Sequence, residues 1–365
     1  MKIAILTFHK SGNYGAALQA YALARFLIQL GNEVFFIDYL PDYYFKKEIN
    51  SWFLGFRPST IKKNIVSRYR WNKFKRYLPL STRKYITPIS LINNPPIADA
   101  YICGSDQIWN TSLLGRFDTN YFLGFVPDDK LRIAYAPSCA GDRKLAEHKD
   151  ILNGLLKKFD ALSIREENDG KFLQSLSDVN IQTVLDPTLM LGDYSPLISK
   201  RPNKKDYLLI YCVAEVPNNL ANIVKYYSNV FKLVSIDITN WTASSCANKH
   251  IKDLGPVEFL NYVYHSSFII TNSFHGTVFS VLFNKPFQVL KLAHDFSSRQ
   301  VRLDNILDSL ELTEYVYPEK QWQNLEAAES SFKQQYIKSN KILEKLQKES
   351  RDFLLSALQR KHSIK

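Results

Sequence analysis

The segment Ile269-Ile270-Thr271-Asn272-Ser273-Phe274-His275-Gly276-Thr277-Val278-Phe279-Ser280 carries the sharpest chemistry in the sequence. An apolar run, read as a strand, opens into a polar turn holding Asn272, Ser273 and His275, and a helix is predicted from Gly276. That order sets an imidazole and a hydroxyl at a strand's carboxyl end, beside helix N–H groups that lack intrahelical acceptors. Histidine titrates near neutrality, so His275 is the candidate proton carrier. Asn272, Ser273, Gly276 and Thr277 are placed to hold an anionic group. The competing reading of a single histidine is a satisfied core side chain.

Four other loops combine polar groups behind apolar runs. In His9-Lys10-Ser11-Gly12-Asn13-Tyr14-Gly15-Ala16, the glycines permit a tight turn and a close backbone approach to a ligand. The third glycine of a dinucleotide fingerprint is missing and Tyr14 is bulky, so the loop reads either as a ligand turn or as a plain strand-to-helix turn. In Gly104-Ser105-Asp106-Gln107-Ile108-Trp109-Asn110, Asp106 either takes a proton from a sugar hydroxyl or caps a helix starting there. In Ser163-Ile164-Arg165-Glu166-Glu167, Arg165 either forks onto a carboxylate or phosphate or pairs with Glu166, Glu167 or Asp169. In Leu185-Asp186-Pro187-Thr188, Asp186 fixes the loop or touches ligand, the two being equally weighted. The histidines outside the main motif show no metal-ligand spacing, and no protein-bound metal is expected.

These loops need a frame to position them. Apolar strand-like runs alternate with helical segments, the pattern of parallel sheets covered on both faces. Strands are predicted at 2–8, 33–38, 100–103, 132–135, 161–164 and 182–185, then at 207–213, 231–236, 268–271 and 286–289. The chain divides into an N-terminal domain at 1–190 and a linker at 191–206 rich in Pro, Ser, Lys and Asp. A C-terminal domain follows at 207–318 and a helical tail at 319–365. The expected class is α/β, with two Rossmann-like domains facing across a cleft and ligands at the strand carboxyl ends.

Composition narrows the function classes. A chain 45% hydrophobic and 22% charged folds, and the four scattered cysteines read as reduced core residues of a cytosolic protein. The first apolar run is cut short by His9 and Lys10, too soon for an export signal, and nothing approaches the roughly 18 apolar residues of a membrane span. The expected location is cytoplasmic, peripheral at the inner face of the membrane. The net charge is +12, and +11 of it lies between Lys46 and Lys84, where twelve cations meet a single acid, Glu48. Aromatics interleave with these charges in an insertion at 45–86, predicted to be helical. Lys62, Lys63, Arg68, Arg70, Trp71, Lys73, Lys75 and Arg76 are the candidates for contact with an anionic membrane. The alternatives are a solvated basic helix pair whose aromatics face the core or, as the least favoured reading, a nucleic-acid grip; no nucleic-acid partner is expected.

Taken together, Gly12-Asn13-Tyr14-Gly15-Ala16 with Gln19, Gly104 to Asn110, Ser163 to Glu166, Leu185 to Leu189 and Ser273-Phe274-His275-Gly276 resemble bacterial polysaccharide pyruvyl transferases. The match runs in order from the N-terminus to about residue 312. The resemblance implies a GT-B-like fold and transfer of a pyruvyl group from phosphoenolpyruvate onto sugar hydroxyls of a capsule, O-antigen, exopolysaccharide or cell-wall precursor. It implies no cofactor beyond that co-substrate, and a sugar or lipid-linked oligosaccharide as acceptor. It places His275 in the catalytic centre, with Asp106 as a second catalytic candidate. Gly12, Asn13, Tyr14, Gly15, Gln107, Trp109 and Asn110 become acceptor-binding candidates. Many members carry an Arg-Leu pair before the histidine, where this sequence has Ser273 and Phe274. The donor's charge is then expected to fall to Arg165, Lys285, Arg299 or Arg302, with Arg165 and Lys285 the donor-binding candidates. The rival readings are a glycosyltransferase of the same fold using a nucleotide sugar, and a non-catalytic glycan- or RNA-binding protein.

Overall fold

A computed structural model describes residues 1–10, 12–43, 58–213, 218–239, 246–291, 297–318 and 320–360. Two compact units emerge. The first comprises Met1–Arg57, Lys75–Leu191 and Leu346–Lys365, and the second Pro58–Phe74 and Gly192–Lys345.

The first unit is built on a parallel sheet of seven strands. They are β1 (Lys2–Leu6), β2 (Glu33–Tyr39), β3 (Leu80–Tyr85), β4 (Ala100–Cys103), β5 (Leu131–Ala134), β6 (Ala161–Ile164) and β7 (Gln182–Thr183). Their order, β3-β2-β1-β4-β5-β6-β7, reverses direction between β1 and β4, the switch point at which open α/β sheets bind ligands. The interior strands are mostly apolar because helices cover both faces, and β4, β5 and β6 are buried at every position, Arg132 and Ser163 included. Helix α1 (Tyr14–Gln29) starts where the Asn13 side chain accepts the Ala16 N–H, and thirteen of its residues are buried.

The second unit repeats the plan with β8 (Tyr207–Tyr211), β9 (Val234–Asp237), β10 (Lys249–His250), β11 (Phe268–Thr271) and β12 (Phe287–Val289), in the order β10-β9-β8-β11-β12. Its reversal lies between β8 and β11. Three more helices bear on function: α2 (Pro58–Lys75), α3 (Pro256–Tyr264) and α4 (Phe274–Leu282), and a long α5 (Leu325–Gln359) closes the described chain. An aromatic cluster holds the start of α5, with Tyr315 stacked on Phe332 at 4.1 Å and on Trp322 at 5.9 Å. No helix among the described residues is long and apolar enough to cross a membrane.

The structure departs from the sequence reading in several places that bear on function. Leu80–Tyr85, inside the basic segment expected to be helical, is the edge strand β3; its exposed Thr82, Arg83 and Lys84 suit an edge that resists further pairing. Helix α2, expected as part of an insertion in the N-terminal domain, groups with the second unit; residues 45–57 of that insertion lie outside the described residues. The 191–206 stretch is not a bare linker, because Tyr194 is buried against Phe279 and Phe283 and Leu197 is buried with it. The tail is shared, its last turns belonging to the first unit. There Ser350 accepts the Leu185 N–H at 2.9 Å, Gln347 donates to the Leu189 carbonyl at 2.7 Å, and Arg351 donates to the Met190 carbonyl at 2.7 Å.

Candidate functional site

The predicted loops collect at the two switch points. In the first unit, Gln19 is fully buried and donates to Thr7 Oγ1 at 3.0 Å and to the Ala16 carbonyl at 2.9 Å. Thr7 in turn donates to the Ser105 carbonyl at 2.7 Å, tying the end of β1 to the loop after β4. Gly104 makes this approach possible, since a Cβ there would sit 3.1 Å from Leu23 Cδ2 and 3.3 Å from Thr7 Cβ. Beside this seam, Asp38 accepts Lys10 Nζ through both oxygens at 2.6 Å and lies 3.2 Å from His9 Nε2. Burial pushes the Asp38 carboxyl up, but those hydrogen bonds and charges prevail and hold it below the ordinary range.

Three of the sequence motifs meet around Arg165. Its Nε donates to Glu166 at 2.8 Å and its Nη1 to Asp186 at 2.9 Å, with all three side chains nearly inaccessible. Asp186 also accepts the Ser105 hydroxyl at 2.7 Å and both the N–H and hydroxyl of Thr188. Burial works against the charged guanidinium, and Glu166, Asp186 and Asp106 outweigh it, so Arg165 is held more firmly protonated. Arg165, expected as a donor-binding fork, is thus engaged with two carboxylates of its own unit. The charge is already matched by carboxylates and the environment is acidic, which repels an incoming anion.

The acceptor candidates separate into two groups. Trp109 is core: it is fully buried, stacked on Phe122 at 4.7 Å, with its indole N–H spent on the Tyr121 carbonyl. Tyr14 and Gly15 are likewise buried at the start of α1, and Asn13 is spent in part on its cap. Asn110, not Asp106, caps the short Thr111–Leu114 helix, and its amide donates to Gln107 Oε1 at 3.1 Å. Gly12, Asp106 and Gln107 stay partly accessible. Asp106 adopts a left-handed backbone with φ 78°, a strained choice for a residue with a Cβ and a recurrent mark of functional loops.

In the second unit, β11 ends on a turn knitted by its own side chains. Thr271 Oγ1 donates to the Tyr211 carbonyl at 2.6 Å and accepts the Ser273 N–H at 3.0 Å, joining β11 to β8. Asn272 Oδ1 accepts the Val213 N–H at 2.6 Å across the same seam. Ser273 caps α4, accepting the Gly276 N–H at 3.3 Å. Gly276 has no room for a larger residue, because a Cβ would lie 2.3 Å from Thr271 Oγ1 and 3.1 Å from Tyr211 Cδ1. His275 thus stands in the first turn of α4, 6% exposed, at the positive end of the helix dipole and edge-on to Phe274. The Arg302 guanidinium lies 6.0 Å from the Phe274 ring centroid. Thr277 is buried within the helix.

Lys285 is the other donor-binding candidate. It precedes β12 at the level where the Ile269 N–H meets the Pro286 carbonyl, at the amino end of the sheet. Its ammonium sits 5.6 Å from the Tyr264 ring centroid, and about 10 Å of strand separates that edge from the His275 turn. Burial and the Arg201 charge lower its pKa. The Arg299 side chain lies outside the described residues. Sequence reading left Glu166, Thr271 and Asp186 out of the site; Asp186 and Glu166 stood in quoted motifs, while nothing marked Thr271 beyond its place at a strand end. Among the described residues no group of three or more His, Cys, Asp or Glu is placed to hold a metal. The cysteines are free, with Cys103, Cys139 and Cys212 buried.

Solved structures share this architecture. A UDP-N-acetylglucosamine 2-epimerase from Rickettsia bellii aligns over 98% of this chain and 96% of its own, at TM-score 0.52 and 11% identity. A chain assigned as a UDP-N-acetylglucosamine 2-epimerase from Listeria monocytogenes aligns over 97% and 90%, at TM-score 0.50 and 11% identity. At that identity the likeness establishes the fold, two Rossmann-like units of the GT-B type, and nothing further. No curated protein matches the chain significantly. The family model for polysaccharide pyruvyl transferase matches residues 13–291, which span the motifs at both switch points. The chain belongs to the polysaccharide pyruvyl transferase family.

Proposed function

We propose that the protein transfers the pyruvyl group of phosphoenolpyruvate onto two hydroxyls of a sugar in a bacterial surface-polysaccharide precursor, closing a ketal. The observation that carries this reading is His275 in the first turn of α4, within a family match that spans both switch points. With the donor's negative charge offsetting the positive end of α4, an imidazolium there delivers its proton to the methylene carbon of phosphoenolpyruvate, turning the enol carbon into an oxocarbenium-like centre. A sugar hydroxyl adds to that carbon, the bond to phosphate oxygen breaks, and a second hydroxyl closes the ketal. Of the two hydroxyl protons, one replaces the proton now on the methyl group and the other leaves with phosphate. With Arg165 neutralised and Lys285 at the far edge, the donor's negative charge falls to the α4 dipole and to Arg302.

Ligand-induced thermal stabilisation tests this. Phosphoenolpyruvate at about 100 times its dissociation constant adds about 2.7 kcal/mol, and nucleotide sugars leave the melting point unmoved. Arg302→Met weakens the shift, whereas Lys285→Met does not. A shift with nucleotide sugars alone would make the protein a glycosyltransferase of the same fold.

A further inference from the structure

We propose that the outer face of α2 is a docking surface for an anionic lipid bilayer. The helix carries six cations and no acid. Its inner face is anchored at Arg70 and Phe74, one helical turn apart. Phe74 is buried, and Arg70 donates to the Asp253 carbonyl at 2.9 Å and lies 3.6 Å from Glu258. Gly255 lets α2 press against the start of α3, since a Cβ there would sit 2.8 Å from Arg70 Cβ. Arg70, expected from the sequence to meet the membrane, is therefore turned toward the protein.

The outer face instead exposes Ile65 (63%), Val66 (38%) and Tyr69 (66%), flanked by the exposed cations Arg68, Lys73, Lys75 and Arg76. The side chains of Lys62 and Lys63 lie outside the described residues. Exposed aliphatics beside cations are the composition that an interfacial helix offers to anionic headgroups. Polyanionic RNA satisfies the cations equally but leaves Ile65 and Val66 without a partner, because aliphatic side chains do not stack on bases. The same pairing recurs just downstream in the first unit. There Ile86, Ile89, Ile92 and Ile97 are all exposed, with Ile97 at 85%, close in sequence to exposed Arg83 and Lys84. The inference is independent of the reaction proposed above.

Flotation of the full chain with vesicles tests it. Binding to phosphatidylglycerol–phosphatidylcholine vesicles is expected, with at least tenfold weaker binding to phosphatidylcholine alone and loss in high salt. Arg68→Gln with Lys73→Gln should weaken binding by about fivefold per charge. Ile65→Asp with Tyr69→Asp should abolish it while the melting temperature stays unchanged, since both side chains face solvent. Wild-type protein that ignores anionic vesicles, or an Ile65/Tyr69 variant that binds them undiminished, overturns the proposal. Tight binding to an RNA oligomer without vesicle binding also overturns it and reassigns the face to nucleic acid.

Discussion

After β6 of the first unit a single guanidinium is enclosed by Glu166 and Asp186 with Asp106 nearby, whereas the turn after β11 of the second unit, Thr271 to Thr277, holds no acid at all. The first solves a burial problem: charges deep in a protein persist only when matched and hydrogen-bonded. The second relies on backbone dipole, a hydroxyl and an imidazole, which leaves it receptive to negative charge. Strand ends in two similar sheets thus differ in electrostatics, carboxylate-rich after β6 and free of carboxylates after β11.

Arg165→Met leaves two buried carboxylates unmatched and should cost about 3–5 kcal/mol of stability, measured by chemical denaturation. A variant that stays fully stable but loses phosphoenolpyruvate binding would return Arg165 to the donor site. His275→Gln should lower phosphate release from phosphoenolpyruvate on the order of 10³-fold while the ligand-induced melting shift persists. Gly276→Ala, forced against Thr271, should destabilise the second unit by about 1–3 kcal/mol, seen as an earlier calorimetric transition.

Asp169 sharpens the picture from the acidic side. Burial first, then repulsion from Glu166, pushes its carboxyl up to about 6, against weaker opposition from the Gly141 N–H and Arg143. A carboxyl raised in the fold favours the folded state when protonated, so its contribution declines as pH rises from about 4 to about 6 and is fully unfavourable above. Asp169→Asn should therefore raise stability at pH 7.5 by on the order of 1–2 kcal/mol, with the gain vanishing near pH 4. An equal gain at both pH values would show that charge is not the cause.

Much of the frame was legible in the sequence because a buried parallel strand leaves an unambiguous apolar run. Ala100–Cys103, Ala161–Ile164 and Phe268–Thr271 have the predicted bounds. The edge strand β3 escaped notice because Leu80-Ser81-Thr82-Arg83-Lys84-Tyr85 is buried at only one position and has no core-facing stripe to announce it. Ser273 and Gly276 were visible at the α4 turn, yet the demand on Gly276 comes from Thr271 and Tyr211, which only the folded sheet brings close. The reach of Arg165 was similarly hidden: Asp186 stands 21 residues away and meets it only once β6 and the following loop are side by side. Trp109 misled in the opposite direction, since a motif tryptophan looks like a sugar platform until its indole N–H is found spent on Tyr121.

Helix α5 bears on the order in which the protein is made. The carbonyl of Met190 waits for a partner, Arg351, that leaves the ribosome 161 residues later. Throughout synthesis of the second unit the first lacks the helix turns that cover its Leu185–Leu191 corner. The half translated first is the half completed last, and for that interval it depends on other cover for its exposed apolar surface.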